Sequence, residues 1–204
     1  MRNRLSFRFV MAIAVTILGA CATTEVTAVW RDESYQNKPH RVLAYAVLKK
    51  PINRRIVEDE FVRHFTSLGI DAVPGYAVFP GNELVEKEVL EEMLKTRSFD
   101  LLLLMQPTDT RTEKVEVPGI VTYQAVPCRT WPGYYRMGYT AVYTPGYTVE
   151  DRYVMAETNL FDVASDKLIW TASSETRIEG KVQKLIKAYV AAIIDAMLDQ
   201  KVVP

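Results

Sequence analysis

Apolar residues recur at helical spacing in three segments of this 204-residue chain. An apolar residue at every third or fourth position is typical of an amphipathic helix. The spacing predicts helices over residues 53–68, 83–96 and 182–198. Asn53 fits the N-cap of the first helix, and Gly69 follows it where a left-handed residue often ends a helix. The most regular stripe is that of the last helix: Val182, Leu185, Ile186, Tyr189, Val190, Ile193, Ile194, Met197 and Leu198.

Other segments carry the patterns of β-strands. Residues 41–48 and 101–105 are nearly continuous apolar runs, as expected of strands that are covered on both faces. Weaker alternation predicts further strands, and a turn-rich connector at residues 162–166 joins the last two. These further strands are predicted over residues 23–31, 112–117, 151–161 and 167–174, with a short strand at best over residues 70–78.

The order of these elements favours one α/β (α+β) domain. Strands and helices alternate in the first half of the chain, whereas successive strands follow in the second half. Such a change is expected when helices pack on a mixed sheet. We therefore predict a single mixed β-sheet with about three helices packed on it, including the amphipathic C-terminal helix.

The first 20 residues differ from the rest of the chain. Arg2, Arg4 and Arg8 lead into an apolar run over residues 9–18, which is far shorter than the roughly 20 residues of a membrane span. The segment predicts a removable signal peptide over residues 1–20. Its removal takes away three Arg and no acid, leaving 22 basic and 25 acidic residues. This balance argues against a nucleic-acid partner, since domains that bind nucleic acid carry a basic excess.

The signal segment ends in Leu-Gly-Ala-Cys at residues 18–21, which resembles the lipobox of bacterial lipoproteins. The resemblance implies that Cys21 is lipidated and begins the mature periplasmic domain, residues 21–204. Ala22 in place of Asp further implies anchoring to the outer membrane. The alternative is an ordinary secretory signal with an incidental Cys. Acylation of Cys21 would leave Cys128 without an intrachain partner, so that this thiol is buried, intermolecular or reactive.

Residues 160–170 carry a second resemblance. A strand, an Asp, a short polar turn, a Lys, an apolar pair and a Trp follow one another there (Leu-Phe-Asp-Val-Ala-Ser-Asp-Lys-Leu-Ile-Trp). With the lipobox and the closing helix, this pattern resembles a family of uncharacterised bacterial lipoproteins, defined only as a domain of unknown function. It is also similar in architecture to the lipoprotein activators of penicillin-binding proteins and to the TolB amino-terminal domain. The resemblance implies partner binding and offers no catalytic residues.

Residues 118–150 form an insertion of unusual composition. It holds four Pro and four Gly, and up to Val149 its only charged residues are Arg129 and Arg136. A loop this long is usually functional or mobile, and Tyr and Trp suit protein interfaces and sugar rings. Residues 139–143 alternate and could make the insertion a protruding hairpin; the alternative is that its aromatic residues cover the sheet as a second core. The candidate partner-binding residues are Tyr123, Trp131, Tyr134, Tyr135, Tyr139, Tyr143 and Tyr147.

Basic residues gather at two predicted helix starts. Cations there oppose the helix macrodipole, so an anion on the free N–H groups would explain their placement. Lipid headgroups and cell-wall carboxylates are the candidates, and the alternative is that these side chains are simply solvated. The candidate anion-binding residues are Lys49, Lys50, Arg54 and Arg55 at the first helix, with Lys181, Lys184 and Lys187 at the last.

The sequence contains no recognisable catalytic or metal-binding motif. Glu58, Asp59 and Glu60 are successive helix positions that point in different directions, and we interpret them as surface charge. Two His and two Cys offer little material for a metal site. We predict a protein without enzymatic activity, cofactor or metal that binds another envelope protein through its aromatic insertion. The alternative function is peptidoglycan or glycan binding, with Trp131 and neighbouring Tyr as stacking platforms.

Overall fold

The computed structural model describes residues 24–37, 39–81, 85–125, 130–132 and 139–204. The predicted signal peptide and the lipidation site Cys21 lie outside these ranges. The strands are β1 (Thr24–Arg31), β2 (Arg41–Ala46), β3 (Asp71–Pro74), β4 (Leu101–Val117), β5 (Ile120–Ala125), β6 (Tyr139–Thr144), β7 (Tyr147–Asp162) and β8 (Lys167–Arg177). The helices are α1 (Pro51–Ser67), α2 (Gly75–Val78), α3 (Lys87–Thr96) and α4 (Val182–Asp199). In the described part of the chain, no helix is long and apolar enough to cross a membrane.

Six strands form one mixed sheet in the order β1-β8-β7-β4-β2-β3. β2 runs parallel to both β3 and β4, whereas the pairs among β4, β7, β8 and β1 are antiparallel. β5 and β6 pair with each other in a separate two-stranded sheet. The prediction of one α+β domain built on a mixed sheet is therefore confirmed.

The central strands bury side chains on both faces of the sheet, as their apolar runs predicted. Val42 and Ala44 of β2 point into a first core, which α1 and α4 cover, while Leu43 and Tyr45 point into a second core beneath α2 and α3. Leu101–Met105 is the buried part of β4. Helices therefore lie on both faces of the sheet, as is usual where parallel strands are present.

Helix α1 begins two residues before the predicted N-cap Asn53. Pro51 occupies the first helical turn, where its fixed φ and missing N–H are tolerated. The predicted end is confirmed, because Gly69 takes a φ of +80° and the Ile70 N–H donates to the carbonyl of Phe65. This left-handed residue satisfies carbonyls at the helix end.

The prediction for residues 70–96 needs two corrections. β3 is only four residues long, and the short helix α2 follows directly where a strand was expected to continue. Pro74 ends the strand because it has no N–H to donate, and it precedes α2 in an extended conformation. α3 begins at Lys87 rather than at residue 83.

The two strands predicted over residues 101–105 and 112–117 are one strand, β4. A register shift between Pro107 and Asp109 marks a β-bulge, so the strand absorbs Pro107 without ending. The predicted hairpin between β7 and β8 is confirmed. Its turn is held by Asp162, whose Oδ2 accepts the Ser165 N–H at 2.9 Å, and Asp166 takes a φ of +54°.

Candidate functional site

The ribbon of β4 and β7 continues well beyond the six-stranded sheet. These strands pair as far as Val117 and Tyr147, whereas β8 pairs with β7 only as far as Tyr153. Outward of Tyr153 the ribbon is two-stranded among the described residues, and most of its side chains are exposed. We refer to residues 108–155 as the β-arm.

Charged pairs cross the inner half of the β-arm. Lys114 Nζ lies 3.1 Å from Glu150 Oε1 on the facing strand. Arg177 Nη2 of β8 lies 2.7 Å from Asp151 Oδ1. Charged side chains on exposed strands oppose unwanted pairing with other chains, so this half of the β-arm is suited to contact with water.

Opposed glycines mark the join between the inner half of the β-arm and its end. A Cβ on Gly146 would lie 2.6 Å from the carbonyl oxygen of Val117, and a Cβ on Gly119 would lie 2.9 Å from that of Thr144. Because these distances are too short for a side chain, the two chain segments can approach only at glycine. Beyond this join lie β5 and β6, which we call the tip sheet.

The tip sheet exposes apolar side chains on both of its faces. On one face, Val121 lies opposite Tyr143 and next to Tyr123. Ile120 and Val142 lie on the other face and are also exposed. Neither strand contains a charged residue. The tip sheet thus differs in chemistry from the inner half of the β-arm.

The described aromatic candidates are exposed, and they do not cover the sheet as an additional core. The exposed fractions are 72% for Tyr123, 82% for Trp131, 65% for Tyr143 and 63% for Tyr147. Residues 139–143 belong to β6, as their alternation predicted. Partner binding by these residues stays a prediction. Outside the described residues lie Tyr134, Tyr135, Cys128 and the side chain of Tyr139.

Arg54 does not join the other basic candidates. It is 4% exposed, and its Nε donates to Glu58 Oε1 at 2.9 Å. Its other nitrogens donate to the carbonyls of Gly81 and Phe79. The guanidinium is thus already paired inside the domain, and the expectation that it helps to hold an anion is corrected.

The other three basic candidates at the start of α1, Lys49, Lys50 and Arg55, are exposed. Lys49 and Lys50 are exposed between β2 and α1. The guanidinium of Arg55 lies over the ring of Tyr76, 5.4 Å from its centroid. Anion binding at Lys49, Lys50 and Arg55 stays a prediction.

Glu58 is a buried structural residue, which corrects its interpretation as surface charge. It is fully buried, and besides Arg54 it accepts the backbone N–H groups of Ala46 at 2.9 Å and Tyr76 at 2.7 Å. Its carboxylate thereby ties α1 to the end of β2 and the start of α2. A buried carboxylate requires such partners.

Asp59 and Glu60 differ from each other in their exposure to water. Asp59 is exposed, as expected, and accepts the Tyr76 hydroxyl at 2.6 Å. Glu60 is 7% exposed and pairs with Arg63. The hydrogen bond from Arg63 lowers the pKa of Glu60, and this effect outweighs burial, which acts in the opposite direction. The prediction of surface charge is therefore correct for Asp59 and wrong for Glu60.

A groove of about 1030 Å³ lies at the base of the β-arm, and no sequence pattern predicts it. Its lining comes from the end of β2, the first turns of α1 and α4, the middle of β4 and β7, and the end of β8. The side chains of Lys49 and Lys50 contribute to it. No pattern along the chain reports the groove, because its residues come from segments far apart in sequence.

The described residues contain no group of three or more His, Cys, Asp or Glu side chains placed to hold a metal ion.

Comparisons with known proteins do not assign a family. No protein-family model and no curated protein matches the chain. Similar solved structures include the PelC dodecamer from Paraburkholderia phytofirmans, with 10% identity, a TM-score of 0.45, and coverage of 83% of this chain and 95% of that chain. Lipoprotein GNA1162 from Neisseria meningitidis has 14% identity, a TM-score of 0.42, and coverage of 79% and 99%. At these scores the likeness assigns no function, and the predicted similarity to penicillin-binding-protein activators and TolB stays a prediction.

Proposed function

We propose that this chain is a lipid-anchored, non-enzymatic protein of the bacterial cell envelope that binds another envelope protein through its tip sheet. The proposal rests above all on the apolar, uncharged surface that the tip sheet exposes on both faces. The lipobox at Cys21 supports a lipid anchor, and Ala22 after it supports placement of that anchor in the outer membrane. The anchor lies three residues before β1, so the mature domain begins directly at the membrane attachment.

The tip sheet has the properties of a surface that is covered by a partner. A two-stranded sheet alone is only marginally stable in water, and exposed apolar patches on soluble proteins commonly mark interaction sites. Tyr123 and Tyr143 combine a large apolar ring with a hydroxyl group that can form hydrogen bonds at an interface. β5 and β6 also have free edges among the described residues, to which a partner strand can pair.

Affinity capture from detergent-solubilised envelopes tests this proposal. The lipidated chain is compared with the double variant Tyr123→Ser, Tyr143→Ser, which removes both rings from one face. The matched control is Gln124→Ala, Thr140→Ala, which alters the opposite face of the same two strands. Because Tyr residues often dominate interface energies, we expect recovery of the partner to fall about tenfold or more for the Tyr variant alone. Equal recovery with both variants contradicts the proposal.

Sedimentation with purified sacculi tests the alternative, glycan binding. The exposed ring of Trp131 has the accessibility that stacking on a sugar would need. If wild-type protein sediments with sacculi and Trp131→Ala does not, the glycan function replaces the protein-binding function. We expect sedimentation that does not depend on Trp131.

A further inference from the structure

The groove at the base of the β-arm has no part in the proposed binding by the tip sheet. We infer that it binds a single-chain amphiphile with an anionic head group, of the class of fatty acids. The acyl chain would lie along the sheet, and the head group would lie at Lys49 and Lys50.

The groove is apolar because the helical layer ends before the sheet does. α1 and α4 cover the first core, and the first turns of both helices line one side of the groove. Beyond them, β4 and β7 continue into the β-arm and present Pro107 and Val154 to the groove. Val47 and Leu48 add apolar surface at the end of β2. An acyl chain in this position removes apolar surface from water on both partners.

A buried hydroxyl group in the lining of the groove already has a hydrogen-bond partner. Tyr189 lines the groove, and its buried hydroxyl is hydrogen-bonded to the hydroxyl of Thr158. Burial raises the pKa of Tyr189, so this group stays neutral. An apolar chain end can therefore lie against Tyr189 without displacing a hydrogen bond to water.

The charge of the lining favours an anionic head group. Lys49 and Lys50 line the groove and are exposed. The charge of Arg54 is offset by Glu58, at 2.9 Å. Asp109 is the acidic residue of the lining, and its carboxylate accepts the N–H of the next residue. The pair of lysines thus leaves a positive charge next to an apolar surface, which complements a carboxylate joined to an acyl chain.

The size and the rim of the groove fit this class of ligand. Its volume of about 1030 Å³ lies at the upper end of small-molecule sites. Ile178 and Val182 stand at the rim with 46% and 48% of their surface exposed. A bound acyl chain would cover both side chains, which otherwise contact water.

Calorimetric titration of the full chain carrying Cys21→Ser tests the inference, because this variant has no acyl group of its own. Decanoate and dodecanoate are added below their critical micelle concentrations. Each buried methylene group contributes roughly a fourfold gain in affinity, so dodecanoate should bind about fifteenfold more tightly than decanoate. Dodecyltrimethylammonium has the same tail and a cationic head, and we expect it to bind at least about tenfold more weakly than dodecanoate.

Two variants locate the binding. Lys49→Glu, Lys50→Glu changes exposed residues only and should reverse the preference between the two head groups. Val182→Asp places a charge at the rim and should weaken dodecanoate binding about tenfold or more. The control is Ile52→Asp, an exposed apolar residue of α1 outside the groove, which should leave the affinity unchanged.

Three results would overturn the inference. The first is a lack of dodecanoate binding below the critical micelle concentration. The second is equal weakening by Val182→Asp and Ile52→Asp, which would indicate nonspecific adsorption. The third is binding by Cys21→Ser but not by lipidated wild type, which would make the protein's own acyl group the occupant. None of these results depends on the tip sheet, so they are separable from failure of the proposed function.

Discussion

Glu58 and Asp59 are neighbours on α1 with opposite environments. Glu58 lies in the apolar stripe of the helix with Val57 and Phe61, whereas Asp59 is one step around the helix and faces water. The spacing of Arg54 and Glu58 places both charged groups on the buried side, and this pattern was available in the sequence. What the sequence could not show is the acceptor role, because the N–H groups that Glu58 binds belong to other elements.

Removal of the Glu58 carboxylate should strongly destabilise the domain. Glu58→Ala leaves the buried Arg54 without its counter-ion, and loss of one partner of a buried pair costs about 3–5 kcal/mol. Asp59→Ala is the matched control, since it removes one exposed hydrogen bond worth about 1 kcal/mol. Urea unfolding gives both free energies of unfolding. If both variants lose the same free energy of unfolding, the carboxylate of Glu58 does not hold α1, β2 and α2 together.

Glu60 predicts a specific acid dependence of stability. Its pKa is lowered, chiefly by the hydrogen bond from Arg63. The unfolded chain then binds the proton more readily than the folded chain, so this contribution is complete above the ordinary pKa of about 4.3 and is lost as the pH falls through the lowered value. Glu60→Gln should therefore lose less stability than wild type between pH 6 and roughly pH 3. Parallel losses in urea unfolding at both pH values would contradict this origin.

At the scale of elements, continuous apolar runs were the most informative signal. The runs in β2 and β4 correctly predicted strands with both faces covered, because each alternate residue has a core to enter. The full length of β4 was missed because Pro107 resembles a strand end, and only its position at a bulge shows why the strand continues. The sequence predicts the tip sheet only in part, since it predicts β6 from its alternation and leaves β5 within the insertion.

The join below the tip sheet should tolerate no side chain. Gly146→Ala would bring a Cβ within 2.6 Å of a backbone oxygen, and such overpacking typically costs about 1–3 kcal/mol. We expect faster amide hydrogen exchange in β5 and β6, with the six-stranded sheet unchanged. Gly81→Ala is the control, because no atom of the described residues lies within 4 Å of its added Cβ. Unchanged exchange at the tip sheet would show that the close approach does not hold it in place.

For the whole molecule, the fold separates a well-packed body from a long, exposed β-arm. The body explains why hydrophobic patterns predicted the fold class, since most apolar stripes enter one of its two cores. The candidate site, the tip sheet, differs from the body because its apolar residues remain outside any core. Composition located that site within residues 118–150, but exposure depends on how far β4 and β7 extend past β8. That length is a property of pairing between distant segments and is not encoded in either segment alone.

Photo-crosslinking in intact cells tests the central claim, binding through the tip sheet, most directly. A photoreactive amino acid replaces Tyr143 in one variant and Glu92, an exposed residue of α3 in the body, in another. We predict a defined covalent adduct with an envelope protein from position 143 and no such adduct from position 92. Absence of an adduct at position 143, or the same adducts at both positions, would contradict the claim that the tip sheet is the binding surface.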